Sequence, residues 1–195
     1  MKLIIGLGNP GFRYRKTRHN AGFLAVDYVQ KNLDGFSKWK NKKNLLAEIS
    51  ENYEQNIILA KPQNYMNKSG EATKLLLARC LFPERAKQIE WPRTDSKPST
   101  GSGDNFKSFA VIHDDFDLPL GEYRLEQNRS SAGHKGVQSI IDALGTNEFW
   151  RLRIGIRPTN ITEQAKTEDY VLKKFTREEK AIIEKIIPEA IKTLF

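Results

Sequence analysis

A chain of 195 residues, 38% hydrophobic and 29% charged, suits one domain, with or without an insertion, and can bury an ordinary core. Its apolar runs, the longest at 1–7, 57–60 and 75–78, are far too short to cross a bilayer, and no leader-like pattern opens the chain. Cys80 is the only cysteine, which excludes an internal disulfide, argues against a Cys-based zinc site and fits a cytoplasmic protein. The formal net charge of +8 and pI near 9.5 favour polyanionic partners, although a basic surface with no nucleic-acid role gives the same figures.

The first predicted element is a buried strand, Lys2-Leu3-Ile4-Ile5-Gly6-Leu7, stopped by the turn Gly8-Asn9-Pro10-Gly11. Phe23, Leu24, Val26 and Val29 then recur at helical spacing. Segments 45–50 and 56–61 read as paired strands around a polar turn at 51–55. Pro62 ends the second strand and opens a loop carrying Gln63-Asn64-Tyr65-Met66-Asn67, after which Ser69 is a suitable N-cap for a helix to about Leu81. The stretch 92–107 differs in kind: from Pro92 to Asp104 it has no aliphatic residue. It reads as a flexible loop inserted into a single domain spanning 1–195.

Phe109-Ala110-Val111-Ile112 is the next buried strand, ending in His113-Asp114-Asp115-Phe116-Asp117. A further strand is predicted at 122–126, with Tyr123 and Leu125 on one face, and Gly121 before it suggests an antiparallel hairpin. A polar loop at 127–133 leads into a helix from about His134 to Leu144, closed by Gly145. A strand at 152–156 and a helical region at 176–193, interrupted by Pro188, complete the chain. Strands alternating with helices predict a three-layer α/β domain on one mixed sheet.

In such folds, functional groups gather where strands end in polar loops. Three strand ends here deliver Asn9 with His19, Asn67, and Asp114, and a fourth loop delivers His134 and Lys135. A neutral His19 can take a proton from water, and a carboxylate such as Asp114, bonded to its other nitrogen, would fix the tautomer. The ordinary alternative is a surface histidine at a helix start. Asn9 and Asn67 can hold a carbonyl or serve only as turn residues. The acidic run His113-Asp114-Asp115-x-Asp117 admits a Mg²⁺ or Mn²⁺ site but matches no standard calcium loop. There is no Gly-x-Ser-x-Gly nucleophile elbow, and Cys80 lies in an apolar helical stretch. Gly6-x-Gly8-x-x-Gly11 mimics a dinucleotide fingerprint, but Pro10 and the polar run 13–20 suit the required helix start poorly.

Two segments, Ile5-Gly6-Leu7-Gly8-Asn9-Pro10-Gly11 and Thr17-Arg18-His19-Asn20-Ala21-Gly22, together resemble the N-terminal signature of the bacterial peptidyl-tRNA hydrolases. Lys61-Pro62-Gln63-Asn64-Tyr65-Met66-Asn67-Lys68-Ser69-Gly70 is similar to that family's second motif. His113-Asp114-Asp115-Phe116-Asp117-Leu118-Pro119-Leu120-Gly121 is similar to its third. Gly133-His134-x-Gly136 and Arg151-Leu152-Arg153-Ile154-Gly155-Ile156 follow in the family's order.

The resemblance implies a monomeric, cytoplasmic three-layer α/β/α domain on a mixed, twisted sheet, with no metal and no organic cofactor. Its partner would be peptidyl-tRNA, with no membrane or DNA partner. His19 would activate a water that attacks the ester carbonyl, and Asp114 would orient the imidazole. Asn9, Tyr14, Tyr65, Met66, Asn67, His134 and Lys135 would bind the substrate, Asn9 and Asn67 holding its peptide part and Met66 and Tyr65 lining the channel. Lys16, Arg18, Arg124, Arg129, Lys135 and Arg153 would form a basic arc for the tRNA.

Three departures stand out. Lys135 occupies the usual Asn position and can donate but not accept, so it stabilises a developing oxyanion, binds a phosphate of the tRNA end or disables that subsite. The loop Asn128-Arg129-Ser130-Ser131-Ala132 replaces a glycine-rich one. The chain stops at Phe195, before the helical extension usual in the family, which predicts less cover over the channel. Rival readings are an RNA-binding relative without hydrolysis and a nucleotide-processing enzyme on a similar sheet.

Overall fold

The computed structural model describes residues 1–81, 109–158 and 167–195. The predicted insertion at 92–107 lies outside the described residues. In chain order the elements are β1 (Lys2–Gly6), α1 (Ala21–Asn32), β2 (Lys40–Lys42), β3 (Ala47–Asn52), β4 (Ile57–Pro62) and α2 (Ser69–Leu81). There follow β5 (Phe109–Pro119), β6 (Tyr123–Glu126), α3 (Lys135–Leu144), β7 (Trp150–Arg157), α4 (Thr167–Val171) and α5 (Arg177–Lys192).

One seven-stranded sheet runs in the order β2-β3-β4-β1-β5-β7-β6. The central strands β4, β1, β5 and β7 are parallel to one another, and β2, β3 and β6 join antiparallel. Strands covered on both faces must be apolar on both, which is why β1 and the first half of β5 read as continuous hydrophobic runs. Leu3, Ile5, Phe109 and Val111 pack with Leu76, Leu77, Val137 and Ile140 of α2 and α3. Ile4, Ala110 and Ile112 point the other way, against Ala25, Val26 and Val29 of α1 and Ile183, Ile187 and Ile191 of α5. The expected three-layer α/β/α architecture on a mixed sheet is therefore what the chain forms.

Two expectations need correcting. Gly121, at φ +98°, does turn the chain after β5, but β6 pairs with β7, Tyr123 opposite Ile154, and not with β5. The edge of β5 is occupied by β7, which returns parallel to it after α3, so β6 is left to the outer side of β7. Pro188, expected to interrupt the last helix, sits inside an unbroken α5. A helix-interior proline costs about 3 kcal/mol. Ile183, Ile186, Ile187 and Ile191 are all buried on both sides of it, and at roughly 1.5–3 kcal/mol per buried side chain they outweigh that cost.

The sheet register places Gly6, the last residue of β1, beside Ile112 of β5, two residues before Asp114. Gly22 lets α1 begin directly against them, because a side chain there would collide with the Ile112 and Leu7 backbones. Gly6 and Gly8 serve the same packing, facing Gly22 and Phe23, which accounts for the glycine pattern without a dinucleotide.

Candidate active site

Beyond β1 the chain turns through Asn9 and returns in a short 3-10 turn, Arg18–Asn20. Asn20 locks the two together: its Oδ1 accepts from the Asn9 N–H at 2.9 Å, and its Nδ2 donates to the Asn9 carbonyl at 3.0 Å. Asn9 in turn accepts the Met66 N–H on its Oδ1 at 2.9 Å. With Oδ1 so engaged, the Asn9 amide has its Nδ2 donor to offer a ligand. Met66 is buried, and Gly136 faces it so closely that a side chain at 136 would strike the Met66 sulfur.

All three histidines of the chain meet around Asp114. His19 Nδ1 lies 3.0 Å from both carboxylate oxygens. His134 is the N-cap of α3 and accepts the N–H groups of Gly136 and Val137 on Nδ1, at 3.1 and 3.2 Å. Its Nε2 therefore carries the proton and donates to Asp114 Oδ1 at 3.1 Å. His113 donates from Nδ1 to the Asp114 carbonyl at 2.7 Å, and its ring stands edge-on to His134 at 4.8 Å. A carboxylate can only accept, so His19 Nδ1 keeps the ring proton and donates a hydrogen bond to Asp114, which leaves His19 Nε2 as the basic atom.

Burial alone would raise the Asp114 pKa, but the His19 and His134 charges and hydrogen bonds hold it far below the usual carboxylate range. Burial alone would lower that of His19; the Asp114 charge and hydrogen bond more than offset this and raise it, against a smaller opposing effect of Lys135. His113 is pushed down to about 3, first by burial and then by His134, and stays neutral. The result is a fixed negative charge behind a well-oriented imidazole whose proton affinity is raised.

A cleft of about 570 Å³ opens over this group. Its walls include Asn9, His19, Tyr65, Met66, Asn67, Asp114, His134 and Lys135, all singled out in the sequence. Phe116 of the third motif also lines it, as do Glu168, Val171 and Leu172, which belong to no motif legible in the sequence. Tyr14 stands outside the cleft lining; its carbonyl takes the Thr17 N–H and hydroxyl at 2.9 and 2.8 Å and shapes the preceding loop.

His19, Asp114 and His134 offer ligand atoms within 4.8 Å of one another, a spacing a metal could use. Their bonding argues otherwise, because with Nδ1 of His134 accepting two backbone protons its Nε2 is a donor rather than a ligand. The acidic run offers little more: Asp115 is bonded to Arg153 and to the Asp117 N–H.

The model of the Peptidyl-tRNA hydrolase family matches residues 3–86 and 104–194. The chain belongs to the peptidyl-tRNA hydrolase family. A peptidyl-tRNA hydrolase of Sulfurihydrogenibium sp. (strain YO3AOP1) is 41% identical over 191 residues, which covers 97% of this chain and 87% of that protein. One of Aquifex aeolicus (strain VF5) is 39% identical over 196 residues, covering 100% and 88%. The solved structure of peptidyl-tRNA hydrolase from Acinetobacter baumannii superposes with a TM-score of 0.75 at 29% identity, over 98% of this chain and 85% of that one.

The basic residues singled out in the sequence divide sharply between exposed and buried. Lys135 is exposed on the cleft wall, its ammonium 3.0 Å from Glu168 Oε1. Arg124 is exposed on β6, and Arg129 is exposed beside Glu126 at 3.2 Å. Arg153 was expected to reach tRNA phosphates, but it is buried: Nε bonds Asp115 at 2.7 Å and Nη1 bonds Glu126 at 2.6 Å. Arg18 is likewise buried against Glu179 at 2.6 Å and the Tyr170 ring at 4.0 Å. These two guanidiniums already have their anions.

Proposed function

We propose that this chain hydrolyses the ester bond joining a peptide, or an N-blocked amino acid, to the 3′ end of tRNA, freeing stranded tRNA for reuse. The observation that carries this reading is the bond from His19 Nδ1 to the buried Asp114 at the base of an open cleft. It leaves Nε2 as a general base of raised pKa in a chain of this family.

The chemistry follows from the parts. His19 Nε2 takes a proton from water as the oxygen attacks the ester carbonyl carbon, and Asp114 stabilises the imidazolium that forms. The electron pair moves onto the carbonyl oxygen, where the Asn9 Nδ2 and the Lys135 ammonium are the available donors. Collapse of that adduct breaks the bond to the ribose oxygen, and the imidazolium returns its proton to that leaving group. Asn67, Tyr65 and Met66 hold the peptide part along the cleft. The enzyme works as a cytoplasmic monomer without metal or organic cofactor, and Arg124 and Arg129 steer the tRNA backbone.

Hydrolysis of N-acetyl-aminoacyl-tRNA in H₂¹⁸O tests the bond cleaved. One ¹⁸O is expected in the carboxylate of the released N-acetyl amino acid and none in the tRNA. Binding of the tRNA ester without turnover would favour an RNA-binding protein, the reading to which Lys135 in place of Asn lends itself.

A further inference from the structure

The mechanism above makes no use of the loop at 11–17, although it joins two parts of the site, Asn9 on the cleft wall and His19 at its base. Its sequence, Gly11-Phe12-Arg13-Tyr14-Arg15-Lys16, interleaves aromatic rings with cations. Phe12 is 83% exposed, the most exposed of the large hydrophobic residues among the described residues, and the Arg15 guanidinium lies 5.8 Å from its ring centroid. The loop is held in shape by Tyr14 N–H to Gly11 O at 3.2 Å and Thr17 N–H to Tyr14 O at 2.9 Å.

A second basic segment is fastened alongside. The Arg18 N–H bonds the Lys173 carbonyl at 3.1 Å, the Phe175 N–H bonds the Lys16 carbonyl at 3.0 Å, and Thr17 bridges to Lys174. Lys16, Lys173 and Lys174 are therefore neighbours, and Leu172, next in the chain, lines the cleft. Among the described residues Arg13, Arg15, Lys16, Lys173 and Lys174 form no ion pair, whereas nearby Arg18 and Lys135 each have an acidic partner. Exposed aromatic surface in a loop with cations that lack an ion-pair partner is the composition that takes single-stranded nucleic acid: bases stack on the ring and phosphates meet the charges.

We propose that the Phe12 loop, with Lys173 and Lys174, is a platform for the unpaired 3′ nucleotides of the tRNA, one base stacking on Phe12 and the adjoining phosphates lying along the cations. The proposal rests on the hydrolase reading and adds where the strand lies as it enters the cleft. Stacking does not depend on base identity, which suits an enzyme that must accept many tRNAs.

Equilibrium binding of deacylated tRNA, intact or trimmed of its unpaired 3′ nucleotides, tests this with the wild type, Phe12→Ala and the double variant Arg13→Glu/Arg15→Glu. The wild type is expected to bind intact tRNA roughly tenfold more tightly than trimmed tRNA. Phe12→Ala should erase that preference while leaving the affinity for trimmed tRNA unchanged. Its melting temperature should not move, because the ring contributes nothing to the core. The double variant should lower the salt dependence of intact-tRNA binding by about 1.4 in log–log slope, two single-strand contacts at about 0.7 each. An undiminished preference in Phe12→Ala, or equal weakening toward both tRNAs, overturns the proposal. Failure of the hydrolase reading would show separately, as wild-type protein that binds tRNA but releases no N-acetyl amino acid.

Discussion

His134 and Asp114 are bonded at 3.1 Å, and the ring that makes this bond also caps α3 through its other nitrogen. The helix N-terminus and the buried carboxylate are thus one hydrogen-bonded unit, and His134 supports the site as well as lining it. His134→Ala should lose both roles, lowering stability by about 1 kcal/mol, typical for a lost cap, and kcat by roughly tenfold or more. His134→Asn can still cap the helix but cannot reach Asp114 with the same donor. It is expected to restore the melting temperature and not kcat, which thermal unfolding and turnover measured together will reveal.

Asp114→Asn replaces an acceptor of hydrogen bonds from two imidazoles with a group that has one acceptor oxygen and one donor nitrogen. His19 then has reason to adopt the opposite tautomer, with its proton on Nε2, where it cannot act as a base. A fall in kcat of about a hundredfold or more is expected, with KM little changed, by comparison with the same substitution in other His–Asp pairs. A loss confined to KM would place Asp114 in substrate binding instead.

The pH profile follows from His19. Burial pulls its pKa down, but Asp114 prevails and raises it above the ordinary 6.5. A general base must be unprotonated, so kcat/KM should climb with pH and its acidic limb should fall above pH 6.5. The same raised value stabilises the fold below the unfolded-state pKa, and this contribution is lost as pH rises through the folded-state value. Lys135 opposes the rise. Lys135→Asn should therefore move the limb to still higher pH, modestly, because the ammonium is exposed.

Arg129 and Arg153, both expected at the tRNA interface, should behave oppositely. Arg129→Glu is predicted to raise KM for the tRNA ester with little change in kcat or melting temperature. Arg153→Ala leaves the buried carboxylate of Asp115 without its partner, and a loss of about 3 kcal/mol in unfolding free energy is expected. A variant at Arg153 with wild-type stability and a raised KM would return that residue to the interface.

Much of this site was legible because it rests on local patterns. The strand ends at Asn9 and Asp114, the helix start at His134 and the polar approach to His19 each follow from a few neighbouring residues. Pairing across the sheet did not. Arg153 alternates with Leu152 and Ile154 as an outward-facing cation would, and only the register that sets it between His113 and Arg124, within reach of Asp115 and Glu126, buries it. The partner of β6 depends on the return of β7, some 25 residues later. Lys40-Asn41-Lys42 is a strand with no hydrophobic alternation to announce it, formed because β3 offers a free edge. His113 looked like part of an acidic run, and its place against His134 depends on where α3 docks.

The central claim is that His19 is the base of a metal-free ester hydrolase. Its most direct test is release of N-acetyl amino acid from N-acetyl-aminoacyl-tRNA in the presence of EDTA, comparing wild type with His19→Ala. Wild-type turnover should be indifferent to the chelator, and a folded His19→Ala should lose at least a hundredfold in kcat while still binding the tRNA ester. Turnover that persists in His19→Ala, or that EDTA abolishes in the wild type, would contradict the account.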